Sequence, residues 1–469
     1  MLQAFRKKYI GNQTFYKMIF VLVLPLVIQQ GITNFVTLLD NVMVGALGTQ
    51  QLNSVAIVNQ LIFVFNLAIF GAVSGVSIFG AQFYGKGDTK GMCHTLRIKL
   101  YAGLICAVLC IVLLKTQASS LVGLFLDEST NDAASLAATL EYAMSYIDIV
   151  VWGLIPFMVV QSYTSTLRET GDTVAPMYGS LIAICINLTG NYLLIFGMFG
   201  FPQLGVAGAA VATVLARWVE TIYVVLYAHR STARYPFFGE LYRSFHVPAD
   251  LLKKVSIVGM PLLFNEVLYS IGITFVNQNY STRGLSVVAA VNITTTAWQL
   301  FCVIMFAMGN AVSILVGQQL GAGEIEEAKA VDNKLLFFTV SSHLVIGLLI
   351  IAAAPFIPLL YNTEPEVRQL ATNLLMIAGA ALPIHAYTHV AYFTIRSGGK
   401  TFITFLFDSV YTWVVSVSIS FILCRYTALP VLACYAAVQF ADIIKVFIAY
   451  PMLKSGFWAN NVIEEKTVK

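Results

Sequence analysis

Apolar stretches of more than about twenty residues alternate with short polar breaks along the whole chain. The pattern predicts twelve helical spans, at 17–45, 51–80, 93–116, 134–163, 174–197, 204–229, 251–280, 287–316, 333–361, 366–394, 402–425 and 429–453. A lipid hydrocarbon core takes about 20 apolar residues per helix, and every stretch meets that length. None shows the two-residue alternation of a barrel strand. Several exceed what a vertical helix needs, so tilt, kinks or protrusion into water are expected.

Composition strengthens this picture. Of 469 residues 58% are hydrophobic and 11% charged, where a soluble domain carries about 25% charged. In lipid every backbone polar group must be paired inside the segment, which leaves helices or a closed barrel. The expectation is therefore an all-α polytopic membrane protein. The net charge of +4 does not indicate a nucleic-acid partner, because the basic residues sit in short loops. Cys93, Cys106, Cys110, Cys185, Cys302, Cys424 and Cys434 are scattered through apolar runs without metal or disulfide spacing. Alternate loops hold Lys86, Lys90, Arg97, Lys99, Arg168, Arg230, Arg234, Arg243, Lys253, Lys254, Lys329, Lys334, Arg396 and Lys400. The opposite loops hold Lys115, Arg283, Arg368 and Arg425. The positive-inside bias then places both termini in the cytoplasm of a multi-pass inner (plasma) membrane protein.

The chain also repeats itself. SIFGAQFYGKGD at 77–88 aligns with SILVGQQLGAGE at 313–324, displaced by 236 (313 minus 77), and Pro25 and Pro261 share that displacement. VAIVN at 55–59 answers VAAVN at 288–292, and TLRETGDT at 166–173 answers TIRSGGKT at 394–401. Six spans separate the partners, an even number, so the halves are expected to be parallel repeats about an axis along the membrane normal. The longest polar interruption divides them, giving an N-terminal six-helix bundle at 1–230, a cytoplasmic linker at 231–250 and a C-terminal bundle at 251–469. Two such bundles around a central cavity suit alternating access better than a channel or an enzyme.

Several segments together resemble the multidrug and toxic compound extrusion (MATE) family. They are PLVIQQGITNFVTLLDNVMVGALG in span one, GAQFYGKGD, LRETGDT after span four, INLTGNYLLIFG in span five, GVAGAAVATVLAR in span six and MPLLFNEVLYSIG opening the second half. The resemblance runs through nearly the whole chain and is specific as a set. It implies a secondary multidrug exporter working by cation antiport, without a cofactor.

Asp40 is the first candidate for coupling. A carboxylate inside a span is costly and usually has a task, although a solvated cap at the mouth of span one would also accommodate it. The resemblance makes Asp40 the cation or proton site. Asn187 and Asn191, four apart on span five, share one helical face. The family places an Asp at the second of these positions, so Asn191 removes a negative charge and weakens a Na⁺ site. Thr213 on span six matches a further family contact; interhelical hydrogen bonding alone would explain all three. Glu266 follows Pro261 by five residues and has Gln30 as its counterpart in the first repeat. Members of the family coupled through a second-half Glu imply the same role for it. His389 stands where Na⁺-linked relatives have an Asp, and a neutral imidazole titrates near neutral pH. His385 lies four residues before it, a metal spacing with no third ligand evident. Pro25 and Pro261 each remove a helix hydrogen bond and are candidate hinges. Asp148, Glu141 and Asp408 are further acids within spans, while Asp442 with Lys445, and Arg217 with Glu220, have the spacing of helix ion pairs.

Gly80-AQFY-Gly85-Lys86 approaches a phosphate-binding loop, but Gly87 stands in place of Ser/Thr and no strand precedes it. The run Gly85-Lys86-Gly87-Asp88 fits an intramembrane aspartyl protease motif only formally, being in a basic loop. Export must then draw on an ion gradient. The expectation is H⁺ antiport, with Na⁺ second, of amphipathic organic cations by a monomer in the lipid bilayer. A lipid-linked oligosaccharide flippase of the same superfamily is the nearest alternative, and a channel or intramembrane protease a more distant one.

Overall fold

A computed structural model describes residues 6, 8–125, 133–361 and 363–464. Among them the regular structure is entirely helical, and twelve helices are long and apolar enough to cross a membrane. The first is Gln13–Gly45, with Pro25 inside a continuous helix, and the seventh is Ala249–Ser281, with Pro261 likewise enclosed.

The boundaries move in instructive places. The ninth helix runs Ile325–Ala353, well before the expected start at 333. Glu326 and Glu327 lie in its first turn, where carboxylates complement the exposed N–H groups and positive dipole end. A polar sequence can thus be helical where it leaves the lipid. The fourth span is Ala133–Val150 and Leu154–Glu169 joined by a 3₁₀ turn at Val151–Gly153. The eighth is Leu285–Phe301 followed by Val303–Gly321, broken at Cys302. The eleventh is α-helical only at its ends, Thr401–Phe405 and Ser418–Tyr426, and opens into π-helical turns over Leu406–Val410 and Thr412–Val417.

Contacts divide the chain into two units. One comprises Ile28–Gly80 and Thr89–Lys254; the other comprises Met1–Val27, Ala81–Asp88 and Val255–Lys469. The sequence halves are therefore traded at two places: the start of span one and the end of span two belong with the second half. Their apolar faces explain why. Ile19, Leu22, Val23 and Leu26 bury against Ala307, Met308, Ala311 and Val312, the close van der Waals packing that associates helices in lipid.

In the first unit, Val58, Ile69, Cys110, Leu114, Ile147, Val151 and Ile195 form the core. The stretch 231–250, expected as a linker between bundles, is packed onto this unit. Arg97, 6% exposed, donates to the carbonyls of Leu241, Glu240 and His246 at 3.1, 2.8 and 3.1 Å. Tyr235 donates to Asp172 Oδ2 at 3.1 Å, and burial holds its phenol above the ordinary range. Phe237 and Phe238 are buried beside it, with Phe238 stacked on Tyr163.

In the second unit, spans nine and ten pack at a glycine pair. A Cβ on Gly347 would overlap the carbonyl oxygen of Gly379, so the two backbones meet where side chains cannot fit.

Candidate functional site

The first unit gathers Asp40, Asn187, Asn191 and Thr213 at one point. Helical spacing puts Asn187 and Asn191 on the same buried face of Val174–Phe196. Asn191 Nδ2 donates to Asp40 Oδ1 at 2.7 Å and lies 3.4 Å from Asn187 Oδ1. Turning the Asn187 amide end for end lets its nitrogen donate to Asp40 Oδ1 and Oδ2 at 2.9 and 3.2 Å. In that orientation both neighbours present N–H groups to the carboxylate. Thr213 stands 3.3 Å from the Asn187 amide and donates to the Ala209 carbonyl at 3.0 Å. Tyr146, 4% exposed, adds its hydroxyl beside Thr213. Its only mark in the sequence is that of an aromatic residue in an apolar helix.

Below this point in the sequence of span one, Gln29 anchors a second polar chain. Its Nε2 donates to Ser180 Oγ at 2.6 Å, Ser180 donates to Glu220 Oε1 at 2.8 Å, and Arg168 donates to Gln29 Oε1 at 2.8 Å. Glu220 does not pair with Arg217 as the spacing suggested. Arg217 lies over the Phe157 ring at 4.5 Å instead, because its neighbour on span four offers an aromatic face rather than an acid.

Glu266 lies in the other unit, with a different set of partners. Tyr392 Oη donates to Glu266 Oε1 at 3.4 Å and receives the Asn265 amide at 3.2 Å. Asn265, 1% exposed, donates also to Asp408 Oδ2 at 3.0 Å. Ser409 Oγ donates to Asn265 Oδ1 at 2.7 Å. Lys445 Nζ is 3.7 Å from Asp408 Oδ1 and 3.7 Å from Asp442 Oδ1, and His385 Nε2 is 4.0 Å from Asp442 Oδ2. Asp442 and Lys445 thus associate as their spacing predicts, and Asp408 joins them. Tyr392 has no signal in the sequence, because it reaches Glu266 from a helix 126 residues away; Asn265 precedes Glu266 directly, but its partners Tyr392 and Asp408 also come from distant helices.

His389 takes no part in that network. Its ring packs between Phe306 and Phe393, at centroid distances of 5.5 and 4.9 Å, and against Gly309. Among the described residues its Nε2 has no hydrogen-bond partner. No three of His, Cys, Asp and Glu converge as ligands among the described residues. Asp148 pairs with Lys115 at 2.6 Å in an exposed position, and Glu141 is exposed.

The geometry thus offers two half-buried carboxylate centres, one per unit: Asp40 is braced by the Asn191 amide, and Glu266 by the Tyr392 hydroxyl with Asn265 bracing Asp408 beside it. The family model for MatE matches residues 25–193 and again 261–424. The chain belongs to this family. The second match begins 236 residues after the first (261 minus 25), the displacement of Pro25 and Pro261. Among similar sequences, the probable multidrug resistance protein YoeA of Bacillus subtilis is 27% identical over 416 residues, with 86% of each chain covered. The multidrug resistance protein MdtK of Pectobacterium atrosepticum is 26% identical over 362 residues, covering 76% of each. A MATE crystal structure in the straight conformation superposes with a TM-score of 0.82 at 20% identity, over 94% of this chain and 95% of that one. The bent conformation gives 0.83 at 19% identity, over the same shares. The chain is a multi-pass membrane protein with the MATE fold and the efflux function of that family.

Proposed function

We propose that this MATE protein exports amphipathic organic cations across the inner (plasma) membrane in exchange for H⁺ rather than Na⁺, by alternating access, as a transporter and not an enzyme. Both termini lie in the cytoplasm in this reading, and the protein acts as a monomer without a cofactor. The observation that carries it is the Asp40 centre: one carboxylate whose nearest neighbours are amides, with Asn191 donating at 2.7 Å. A hard cation such as Na⁺ asks for converging oxygen ligands. A proton asks only for one acid that can be neutralised.

In the outward-open state Asp40 and Glu266 accept protons and the cargo leaves. The neutralised site closes and reopens to the cytoplasm, where loss of the protons restores the charge that attracts the next cation. Pro25 and Pro261 are the bending points, and Asn187, Asn191 and Thr213 support Asp40; His389, packed between Phe306 and Phe393, stands outside the Glu266 network. One charge moved through 100 mV is worth ~2.3 kcal/mol, which sustains a gradient of roughly forty-fold at ~1.4 kcal/mol per tenfold.

The test is ethidium efflux from vesicles under an imposed pH or Na⁺ gradient, for the parent, Asp40→Asn and Glu266→Gln. Efflux should follow the pH gradient and collapse in Asp40→Asn. Efflux that tracks Na⁺ at constant pH would overturn the proton assignment, and unchanged efflux in both variants would overturn the mechanism. Current without obligatory exchange would identify a channel.

A further inference from the structure

Among the described residues each unit buries one lysine beside acids, and the two are held in opposite ways. Lys99, fully buried, is saturated: it donates to Ser165 Oγ at 2.9 Å, to Thr166 Oγ1 at 3.0 Å and to Glu169 Oε1. Lys445 is 6% exposed, yet its nearest carboxylate oxygens are both at 3.7 Å. Direct ammonium–carboxylate bonds run about 2.7–2.9 Å. Its ammonium also lies over two aromatic rings, Tyr411 at 4.7 Å and Phe407 at 5.8 Å. Two carboxylates and two ring faces at such distances form a receptor for an organic ammonium, whose bulk keeps the charges apart and whose charge favours the ring faces.

The charges around it do not cancel. Arg396 sits at the far end of the network, beside Tyr392 and Glu266. At the near end two carboxylates, Asp408 and Asp442, face the single ammonium of Lys445, with His385 4.0 Å from Asp442. Phe407 and Asp408 lie in the first π-helical stretch of span eleven, and Tyr411 at the junction between its two π-helical stretches. Such turns are wider than α-helix and mark functional positions in other proteins.

We propose that Lys445 is a tethered stand-in for the cargo: it occupies the Asp408–Asp442–Tyr411–Phe407 receptor when no organic cation is present and competes with one for it. Lys445 thereby sets the affinity and the charge class of what is exported, favouring monocations with an aromatic or quaternary head over small hydrated ions. This rests on the export of organic cations proposed above. It differs from a structural ion pair, which would stabilise the fold and leave binding unaltered.

The two accounts separate in the binding of tetraphenylphosphonium to the purified full-length chain in detergent, measured by equilibrium dialysis. Lys445→Met removes the competitor and should tighten binding about tenfold, ~1.4 kcal/mol. Lys445→Arg puts a guanidinium fork, which grips carboxylates bidentately, in the same place and should weaken binding about tenfold. The double variant Asp408→Asn/Lys445→Met should lose the tightening. Lys445→Arg keeps the charge, so it decides the matter if Lys445→Met does not fold. Both single variants binding within twofold of the parent would overturn this inference while leaving the export reading intact. No binding by the parent or any variant would overturn both.

Discussion

Gly85 and Gly321 hold matching places in the two repeats, 236 residues apart, and each lets its helix meet the other repeat at a backbone carbonyl. A Cβ on Gly85 would overlap the carbonyl oxygen of Gln318, and a Cβ on Gly321 would overlap that of Gln82. Gln82 and Gln318 share the same displacement. Between them Ala81 Cβ lies 2.8 Å from where a Cβ on Gly317 would stand. Such reciprocity, in which i meets j and j meets i, is what a local twofold axis produces. Within the GAQFYGKGD segment that approaches a phosphate-binding motif, Gly85 serves this crossing, whereas Gly80 lies against Glu169 and Gly87 takes a left-handed backbone at φ 75°. The Gln82 side chain fastens it further, donating to the carbonyls of Ser397 and Asn460 at 3.0 and 3.1 Å and accepting from Val462 N at 2.7 Å.

Gly85→Ala and Gly321→Ala should therefore destabilise the protein equally. Each added methyl meets backbone rather than a movable side chain, so a loss of about 1–3 kcal/mol is expected for each. The double variant should lose less than the sum, since the first substitution already separates the helices the second would separate. Denaturant unfolding in detergent measures all three. A harmless Gly321→Ala beside a damaging Gly85→Ala would contradict the reciprocal contact.

The Lys99–Glu169 pair predicts a different signature. Both side chains are almost fully buried, at 0% and 4%, and Ser165 donates to the same carboxylate at 3.0 Å. Lys99→Met alone leaves a charged carboxylate without its counter-ion and should cost about 3–5 kcal/mol. Lys99→Met with Glu169→Gln removes both charges and should recover most of that loss. The comparison of the three melting midpoints checks it; a double variant as unstable as the single would show that the contacts to Ser165 and Thr166 matter more than the charge.

Arg97 should control the docking of 231–250. Three carbonyls share its guanidinium, and hydrogen bonds to a charged group contribute about 1.5–3 kcal/mol each. Arg97→Ala is expected to cost a few kcal/mol and to expose this stretch selectively. Limited proteolysis should then cleave between Ser231 and Pro248 at least tenfold faster, by ~1.4 kcal/mol of local opening. An unchanged cleavage rate inside 231–248 would show that Phe237 and Phe238 suffice to hold it.

How much of this was legible beforehand depends on the kind of force involved. The twelve spans follow from hydrophobicity, which acts through lipid and leaves its mark on every run. The ninth helix begins before its apolar run because its first turns are charged, and hydropathy cannot see a helix outside the lipid. Asp40 stands out as a carboxylate in an apolar span, the resemblance adds Asn187, Asn191 and Thr213, and the helical spacing of the two asparagines puts them on one face. Arg217 and Glu220 show the limit of that logic. Spacing tells which side chains share a face, whereas partners come from the helix packed opposite. The partition of span one after Val27 was hidden for the same reason, since nothing in its residues says which helices will cover Ile19 and Leu26.

Asn191 offers the sharpest test of ion choice. In the parent it turns an N–H toward Asp40 at 2.7 Å, so the carboxylate is answered by a donor. Asn191→Asp would replace that donor with a second carboxylate on the same helical face, four residues from Asn187. Two carboxylates side by side are not both stable as anions unless a cation lies between them. That cation can be a shared proton or a Na⁺ held by oxygens from both. Ethidium efflux from vesicles at fixed pH should therefore gain a Na⁺ dependence, with about tenfold stimulation if the new site contributes ~1.4 kcal/mol. The stimulation should vanish when Asp40→Asn is added, because a single carboxylate then remains. If Asn191→Asp stays indifferent to Na⁺ and still follows the pH gradient, the acid count at this centre does not set the coupling ion. The choice would then lie with Glu266 and its neighbours in the other unit.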